Sequence, residues 1–180
     1  MLTKNQLRTK ILYKLRNHKE EDRNSKSSLI QKKLFRALVF KKAKRVMFYI
    51  SFDGEVDTEY MIKKARILGK TISVPVCRKD RGIIPCILKD KAKLVRGFYG
   101  TLEPAAKDPV ALEKIDLVIV PGIAFDMSGK RLGRGKGCYD RFLRKLPDKT
   151  HSIGLAFDFQ ILPALPATRL DVGVNKVIFA

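Results

Sequence analysis

The chain has 180 residues and a formal net charge of +20, with 45% hydrophobic residues and three cysteines without Cys-x-x-Cys spacing. This composition excludes an intrinsically disordered chain and argues against a disulfide framework or a zinc site. The charge fits either a nucleic-acid partner or a multiply anionic small molecule. It is concentrated in residues 1–50, which hold 15 Lys/Arg against 3 Asp/Glu.

The length predicts one domain over residues 1–180, in which an N-terminal helical segment, residues 1–42, packs on an α/β core. The first residues are charged and lack the apolar stretch of a signal peptide. No run reaches the roughly 18 apolar residues of a membrane span. We therefore expect a cytoplasmic protein with reduced thiols and no membrane partner.

Two helices are predicted within residues 1–42. The first covers residues 3–20, because leucine and isoleucine side chains recur there every four positions between lysines and arginines. The second begins at Asn24 or Ser25, which are both helix-capping residue types, and continues to Val39.

Short apolar runs then alternate with helical patterns. The predicted strands are residues 45–50, 71–76, a hairpin or edge strand within 83–88, 117–120, 152–157 and 177–179; the predicted helices are residues 57–69 and 139–146. Several of these strands are apolar throughout, which is typical of a mostly parallel sheet covered on both faces by helices. Ligands of such sheets bind beyond the carboxyl ends of the strands.

A glycine-rich, basic loop follows the strand at 117–120. Four glycines (129, 133, 135 and 137) occur within nine residues, together with Arg131, Arg134 and Lys136, and a short helix comes next. Glycine lets the backbone approach a ligand, and loop amides before a helix form a cradle for anions. Asp140 lies in the first turn of that helix and could hold a Mg²⁺ that bridges phosphates. The loop therefore indicates a phosphate site.

Two common nucleotide motifs are excluded for this loop. A Walker A loop ending at Lys136 would need glycine where Lys130 stands and Ser or Thr where Gly137 stands. A dinucleotide motif starting at Gly133 would need a third glycine in place of Cys138. A solvated turn or a non-specific nucleic-acid contact stays open as the alternative at this point.

Residues 121–143, Pro-Gly-Ile-Ala-Phe-Asp-Met-Ser-Gly-Lys-Arg-Leu-Gly-Arg-Gly-Lys-Gly-Cys-Tyr-Asp-Arg-Phe-Leu, closely resemble the long motif of 5-formyltetrahydrofolate cyclo-ligases, also called methenyltetrahydrofolate synthetases. Other segments resemble family motifs in the same order: Lys4-x-x-Leu7-Arg8, Tyr49-Ile50-Ser51 followed by Glu55-Val-Asp-Thr58, residues 98–104 and residues 154–157. A match of this length, with ordered outlying motifs, is far more specific than a short pattern.

The resemblance implies ATP- and Mg²⁺-dependent ring closure of 5-formyltetrahydrofolate to 5,10-methenyltetrahydrofolate, with ADP and phosphate released after phosphorylation of the formyl group. It implies a three-layer α/β/α sandwich with a mostly parallel sheet, related in architecture to sugar-phosphate isomerases and CoA transferases. The implied partners are ATP and 5-formyltetrahydrofolate, including polyglutamylated forms. We expect a monomer that has no specific nucleic-acid partner.

The resemblance also assigns residues to roles. The ATP contacts would be Lys4, Asn5, Gln6, Leu7 and Arg8 together with Arg131, Leu132, Gly133, Arg134, Gly135, Lys136, Gly137, Cys138 and Tyr139. The folate contacts would be Ile50 and Glu55 together with Arg134, Gly135, Lys136, Gly137 and Cys138. Arg134 and Lys136 would be catalytic by stabilising the transferring phosphoryl group, and Asp140 and Asp171 would hold Mg²⁺.

The chain departs from the family pattern at three places. Cys138 stands where the family usually has Tyr, Leu170-Asp171 replaces a more usual His-Asp pair, and Asn175 occupies a position where an acid is common. We expect the backbone amide of Cys138 to serve and infer no reactive thiol. The competing functions are a basic nucleic-acid-binding protein and a sugar-phosphate isomerase or CoA transferase, and ATP dependence distinguishes the last two from a cyclo-ligase.

Overall fold

A computed structural model describes residues 2–180. In this range the helices are α1 (Lys4–Arg16), α2 (Glu20–Arg36), α3 (Leu38–Lys42), α4 (Glu59–Ile67) and α5 (Cys138–Leu143). The strands are β1 (Arg45–Met47), β2 (Thr71–Cys77), β3 (Ile83–Ile87), β4 (Leu94–Arg96), β5 (Leu102–Pro104), β6 (Leu117–Val120), β7 (Ala124–Asp126), β8 (Arg131–Leu132), β9 (His151–Ala156), β10 (Ile161–Leu162) and β11 (Lys176–Phe179).

The central sheet has the strand order β11-β9-β6-β1-β2-β3. The first five of these strands are mutually parallel, and β3 pairs with β2 in the antiparallel direction. The prediction of an α/β protein with a mostly parallel sheet is confirmed, and the segment 83–88 forms the predicted antiparallel edge strand. Because parallel strands end at one edge of a sheet, the loops that follow β1, β2 and β6 meet there.

Alternate side chains of the strands face two hydrophobic cores. Val46 and Leu117 face a core that also receives Leu15 of α1 and Leu34 of α2. Met47 and Val118 face the opposite core, which is covered by α5 and by nearby loops. Full burial of each large apolar side chain contributes roughly 1.5–3 kcal/mol, so both layers stabilise the sheet. The layers are unequal, since α1 to α4 contribute to the first core and α5 to the second.

The predicted start of the second helix was wrong. Helix α1 ends at Arg16, and α2 begins at Glu20 with three acidic residues in its first turn, where the helix dipole favours negative charge. Asn24 and Ser25 therefore lie inside α2, on its exposed surface. A break at Ala37, whose backbone is extended, also divides the predicted helix into α2 and α3.

Strand β1 is shorter than the predicted run 45–50. It ends at Met47, although the amide of Phe48 still donates to the carbonyl of Ser73 at 2.9 Å. Tyr49 and Ile50 then leave the sheet toward its carboxyl edge. The buried hydroxyl of Thr58 donates to the carbonyl of Tyr49 at 2.7 Å and so fixes this exit.

Two smaller sheets accompany the central one. Strands β10, β7 and β8 form a three-stranded sheet, and β4 and β5 form an antiparallel pair. The buried carboxylate of Asp126, at the end of β7, accepts hydrogen bonds from the amides of Ser128, Lys130 and Leu165. It thereby shapes the turn that leads into the glycine-rich loop. Within residues 2–180, no helix combines the length and the apolar character needed to cross a bilayer.

Candidate active site

A pocket of about 870 Å³, counted to its open mouth, lies at the carboxyl edge of the parallel strands. It is lined by the segments that follow β1 and β6, by the end of β2, by the turn between β4 and β5 with the start of β5, and by the glycine-rich loop. The predicted site residues that line it are Ile50, Glu55, Arg131, Gly133, Arg134, Lys136, Gly137, Cys138, Tyr139 and Asp140. The pocket thus brings together side chains that lie up to about 90 positions apart in the sequence.

Other predicted residues surround the pocket without lining it. Arg8 of α1 donates from Nε to the carbonyl of Gly133 at 2.9 Å, and its guanidinium lies against Gly135. The side chains of Leu7 and Leu132 are buried together in a small apolar cluster, so only their backbones are available to a ligand.

The remaining predicted residues of α1 hold the helix itself in place. The Asn5 side chain accepts a hydrogen bond from Arg8 at 2.6 Å, and Gln6 completes a capping box with Thr3. Lys4 forms an ion pair with Asp171 that is 2.5 Å long, which ties the start of α1 to the C-terminal tail.

Arg131 is a buried arginine that lines the glycine-rich part of the pocket. Its Nη2 donates to Asp140 Oδ1 at 2.8 Å, and its guanidinium lies 5.6 Å from the ring centre of Tyr139. Arg131 Nε and the Tyr139 hydroxyl are both buried and have no hydrogen-bond partner among the described residues. A buried donor without an acceptor costs about 1–3 kcal/mol. Both residues line the pocket, but these two atoms have no exposed surface, so a ligand could reach them only after a side-chain movement.

Glu55 is a buried carboxylate on the opposite side of the pocket. Its Oε1 accepts from Arg134 Nη2 at 3.1 Å, and its Oε2 accepts from the amide of Phe52 at 3.4 Å. Burial raises the pKa of Glu55, while the nearby positive charge of Arg134 opposes the rise. Glu55 therefore offers carboxylate oxygens as hydrogen-bond acceptors beside the apolar side chains of the pocket.

Arg134 is held in three ways. Besides Glu55 it contacts Asp53, whose Oδ2 accepts from Arg134 Nη1 at 2.9 Å. Its guanidinium carbon lies 4.1 Å from the ring centre of Phe52, which is a close cation–π contact. Lys136, two residues further along the loop, is exposed at the pocket rim. The two predicted catalytic side chains therefore both line the pocket, but Arg134 is held by ion pairs whereas Lys136 is exposed at the rim.

The two predicted Mg²⁺ ligands differ in their fit to a metal ion. Asp140 lines the pocket, and its Oδ1 accepts from Arg131 and from the amide of Val172, while Oδ2 has no partner among residues 2–180. Mg²⁺ commonly takes one or two carboxylates together with substrate phosphates, so Asp140 fits as one ligand. Asp171 Oδ2 accepts from Lys4 and Thr168 and lies outside the pocket wall. No group of three or more metal-binding side chains occurs in the described range.

Sequence reasoning did not predict most of the apolar wall of the pocket. The additional lining residues are Tyr49, Phe52, Pro75, Cys77, Tyr99, Thr101, Leu102, Pro121, Gly122 and Ile123. Several of them end strands at the carboxyl edge, and Tyr49 and Tyr99 lie in family-like segments, which is the signal that could have identified them. Burial raises the pKa of Cys77 to about 11 and also raises the pKa of Cys138. Both side chains are therefore neutral thiols near neutral pH.

The whole chain, residues 1–180, matches the family model described as the 5-formyltetrahydrofolate cyclo-ligase family. The chain belongs to this family. It is similar to the mouse 5-formyltetrahydrofolate cyclo-ligase, with 29% identity over 96% of this chain and 91% of the mouse protein. It is similar to the Escherichia coli K12 5-formyltetrahydrofolate cyclo-ligase, with 33% identity over 76% of this chain and 78% of that protein.

Solved structures agree with this membership. The solution structure of Aquifex aeolicus 5,10-methenyltetrahydrofolate synthetase is similar with a TM-score of 0.87 and 34% identity, and the match covers 99% of this chain and 90% of that one. A Mycoplasma pneumoniae 5,10-methenyltetrahydrofolate synthetase has a TM-score of 0.82 at 24% identity, with 98% of both chains covered, which shows the shared fold. The predicted family, fold class and assignment to a ligase family are confirmed.

Proposed function

We propose that this chain catalyses the ATP-dependent closure of 5-formyltetrahydrofolate to 5,10-methenyltetrahydrofolate, with release of ADP and phosphate. The observation that carries the proposal is the composition of one pocket. Its apolar part holds the buried carboxylate of Glu55, and its glycine-rich part holds the side chains of Arg134 and Lys136. We also propose that the chain acts as a monomer.

The apolar half suits the flat ring system of a folate. Tyr49, Ile50 and Phe52 offer apolar and aromatic surface at the level of Glu55. A pterin presents a row of N–H donors along one edge, and a buried carboxylate is the acceptor that fits them. Binding the pterin at Glu55 would place its ring system in the apolar part of the pocket, with Arg134 beside the same carboxylate.

The glycine-rich half suits a triphosphate. Its loop amides and the start of α5 provide hydrogen-bond donors, and Lys136 adds a positive charge that can follow phosphate oxygens. Lys4 and Arg8 would add positive charge from α1, which contacts the loop through Gly133. Mg²⁺ held by Asp140 would neutralise phosphate charge; Asp171, paired with Lys4 outside the pocket, would have to leave that ion pair to act as a second ligand.

The proposed chemistry activates a poor leaving group. A formamide oxygen does not leave unaided, so the γ-phosphoryl group of ATP is first transferred to it and ADP is released. The N10 nitrogen of the folate then attacks the formyl carbon, the carbon–oxygen bond breaks, and inorganic phosphate leaves with the former formyl oxygen while N10 gives up its proton. Such a transfer needs positioning and charge neutralisation more than a nucleophilic side chain. Arg134 and Lys136 would stabilise the charge on the transferring group.

We also propose that polyglutamylated folates extend from the pocket along a basic groove. A second cavity adjoins the first at Cys77 and is lined by Arg78, Lys79 and Lys107. These charges complement a chain of carboxylates. Replacing Arg78 and Lys79 together by Gln should lower kcat/KM for a pentaglutamate substrate about tenfold, and for the monoglutamate less than twofold. Lys32→Gln, on the exposed surface of α2, is the control; an equal loss on both substrates would contradict the groove.

The overall reaction is tested by incubating the protein with Mg·ATP and 5-formyltetrahydrofolate. The methenyl product absorbs at longer wavelength than the substrate, so its formation can be followed directly. We expect one ADP and one phosphate for each methenyl group, and no product when ATP is left out. A folded preparation that binds ATP and yields no methenyl product would refute the proposed function.

A further inference from the structure

Asp53 has a backbone conformation that is unusual for its residue type. Its φ is 54°, in the left-handed region, and Gly54 follows with a φ of 80°. A Cβ added at Gly54 would lie 2.2 Å from the carbonyl oxygen of Leu15, so this turn is pressed against the end of α1. Non-glycine residues keep such strained conformations where the surroundings fix them, and they cluster at functional sites. The position of Asp53 is therefore tightly determined.

The Asp53 carboxylate joins α1 to the glycine-rich loop. Arg16, at the end of α1, donates to it from Nε at 2.9 Å and from Nη2 at 3.1 Å. Arg134 donates to it from the opposite side at 2.9 Å. Hydrogen bonds from Arg16, followed by those from Arg134, lower the pKa of Asp53 although partial burial opposes the shift. Asp53 is thus a fixed negative charge at neutral pH.

Arg134 has two carboxylate partners, Glu55 and Asp53. In the proposed reaction Glu55 also accepts hydrogen bonds from the folate, so the substrate would compete with Arg134 for this carboxylate. The Phe52 ring and Asp53 then remain as the contacts that hold the guanidinium at the pocket. An arginine side chain without such a partner would spread over several rotamers, and misplacement by about 1 Å can cost up to 100-fold in rate.

We infer that Asp53 is a positioning residue: it holds the Arg134 guanidinium against Phe52 while the substrate occupies Glu55. The inference rests on the proposed function, because it assigns Arg134 to the transferring phosphoryl group. Asp53 itself contacts neither substrate nor phosphate. It acts through the geometry of Arg134, and its own geometry is set by Arg16 and by the strained turn.

The test is the Asp53→Asn variant. Asn tolerates the left-handed conformation and keeps the size of the side chain, so the fold is retained. We expect kcat to fall about tenfold, with the KM for ATP changed less than twofold, since an interaction used in the transition state is weakened. Asp158→Asn, which breaks the Lys26 ion pair away from the pocket, is the matched control and should keep the wild-type kcat.

A double-mutant cycle separates positioning from a merely structural role. In an Arg134→Lys background, Asp53→Asn should lower kcat less than twofold, because the planar guanidinium that Asp53 orients is absent. An equal loss in both backgrounds, or a wild-type kcat for Asp53→Asn alone, would overturn the inference. If Arg134→Lys turns over too slowly to compare, the single-turnover rate of Asp53→Asn at saturating substrates decides. A wild-type protein without turnover would refute the proposed function and this inference with it, whereas wild-type turnover with an unaffected variant would refute the inference alone.

Discussion

Arg134 and Lys136 lie two residues apart in the same loop, yet their surroundings prepare them for different tasks. Arg134 is shared by two carboxylates and stacked on Phe52, so its position is set before any ligand binds. Lys136 is exposed at the rim and keeps its freedom to move with phosphate oxygens. We therefore propose a fixed charge and a mobile charge on the transferring group.

Lys136 gives the clearest single-residue prediction. Lys136→Ala should lower kcat about 100-fold, as expected for the loss of one charge that stabilises the transition state. The thermal unfolding midpoint should stay close to the wild-type value, because the side chain is exposed. Lys130→Ala, an exposed lysine in the same segment, is the control and should keep its activity. A Lys136→Ala variant with near-wild-type kcat would show that Arg134 carries the charge stabilisation alone.

Glu55 gives a prediction about pH and stability. Burial raises the pKa of its carboxyl above the ordinary value of 4.5, so the folded protein holds this proton more tightly than the unfolded chain does. The contribution of Glu55 to the free energy of unfolding is therefore most favourable below pH 4.5 and falls as the pH rises through the raised pKa. As the pH rises through the raised pKa of Glu55, the free energy of unfolding of the wild type should therefore fall relative to that of Glu55→Gln.

Urea unfolding at a series of pH values measures this difference. Glu59→Gln, on the exposed surface of α4 and paired with Lys63, is the control for removing a carboxylate. A difference between wild type and Glu55→Gln that stays flat with pH, or that grows in favour of the wild type, would contradict the predicted pKa direction.

Sequence reasoning reached many of the site residues, but not their partners. The glycine-rich loop and Glu55 were predicted by motif and resemblance, and the pocket does bring them together. The Asp53–Arg134 pair was missed, because 81 positions separate the two residues and Asp53 belongs to none of the quoted motifs. The burial of Leu132 was also missed, since a residue inside a polar motif gives no sign of facing inward.

At the scale of elements, the glycine-rich segment is held by neighbours on both sides. Helix α1 supports it through the Arg8–Gly133 hydrogen bond. The C-terminal tail supports it through Val174, whose amide donates to the carbonyl of Gly129 at 2.8 Å. The order of the glycine-rich loop therefore depends on the packing of these two distant segments.

Gly129 tests the contact with the tail. Its φ is 85°, and a Cβ at this position would lie 2.2 Å from the carbonyl oxygen of Val174. Gly129→Ala should lower the free energy of unfolding by about 3 kcal/mol, which combines left-handed strain with a backbone clash. Gly69→Ala is the matched control, because Gly69 has a φ of 77° and open space around it.

Gly69→Ala should lower the free energy of unfolding by only roughly 1–2 kcal/mol, the usual penalty for a left-handed residue with a side chain. Denaturant unfolding of both variants measures the two costs. Equal losses for Gly129→Ala and Gly69→Ala would mean that the tail moves aside easily and does not fix the loop.

Helix boundaries show what local patterns cannot decide. The start of α2 was predicted at a polar pair that resembles a cap, while the acidic triplet at its true start was overlooked. The strands at 117–120 and 71–76 were predicted well, because an apolar run inside a parallel sheet has few alternatives. Strands β7, β8 and β10 were not predicted, since pairs this short depend on tertiary contacts.

At the scale of the whole molecule, the sheet accounts for the position of the site. Five parallel strands end at one edge, and the pocket lies there, as the alternation of strands and helices had indicated. The unequal layers could not be predicted, because the face on which a helix packs depends on chain handedness and on the packing of distant side chains. A net charge of +20 would attract the multiply anionic substrates proposed above at low salt.

Phosphoryl transfer to the formyl oxygen is tested most directly with 5-formyltetrahydrofolate that carries ¹⁸O in its formyl group. The protein, Mg·ATP and the labelled substrate are allowed to react, and the released inorganic phosphate is analysed by mass. We predict one ¹⁸O atom in the phosphate for each methenyl product formed, because the formyl oxygen leaves attached to phosphorus. Methenyl product accompanied by unlabelled phosphate would contradict the proposed mechanism.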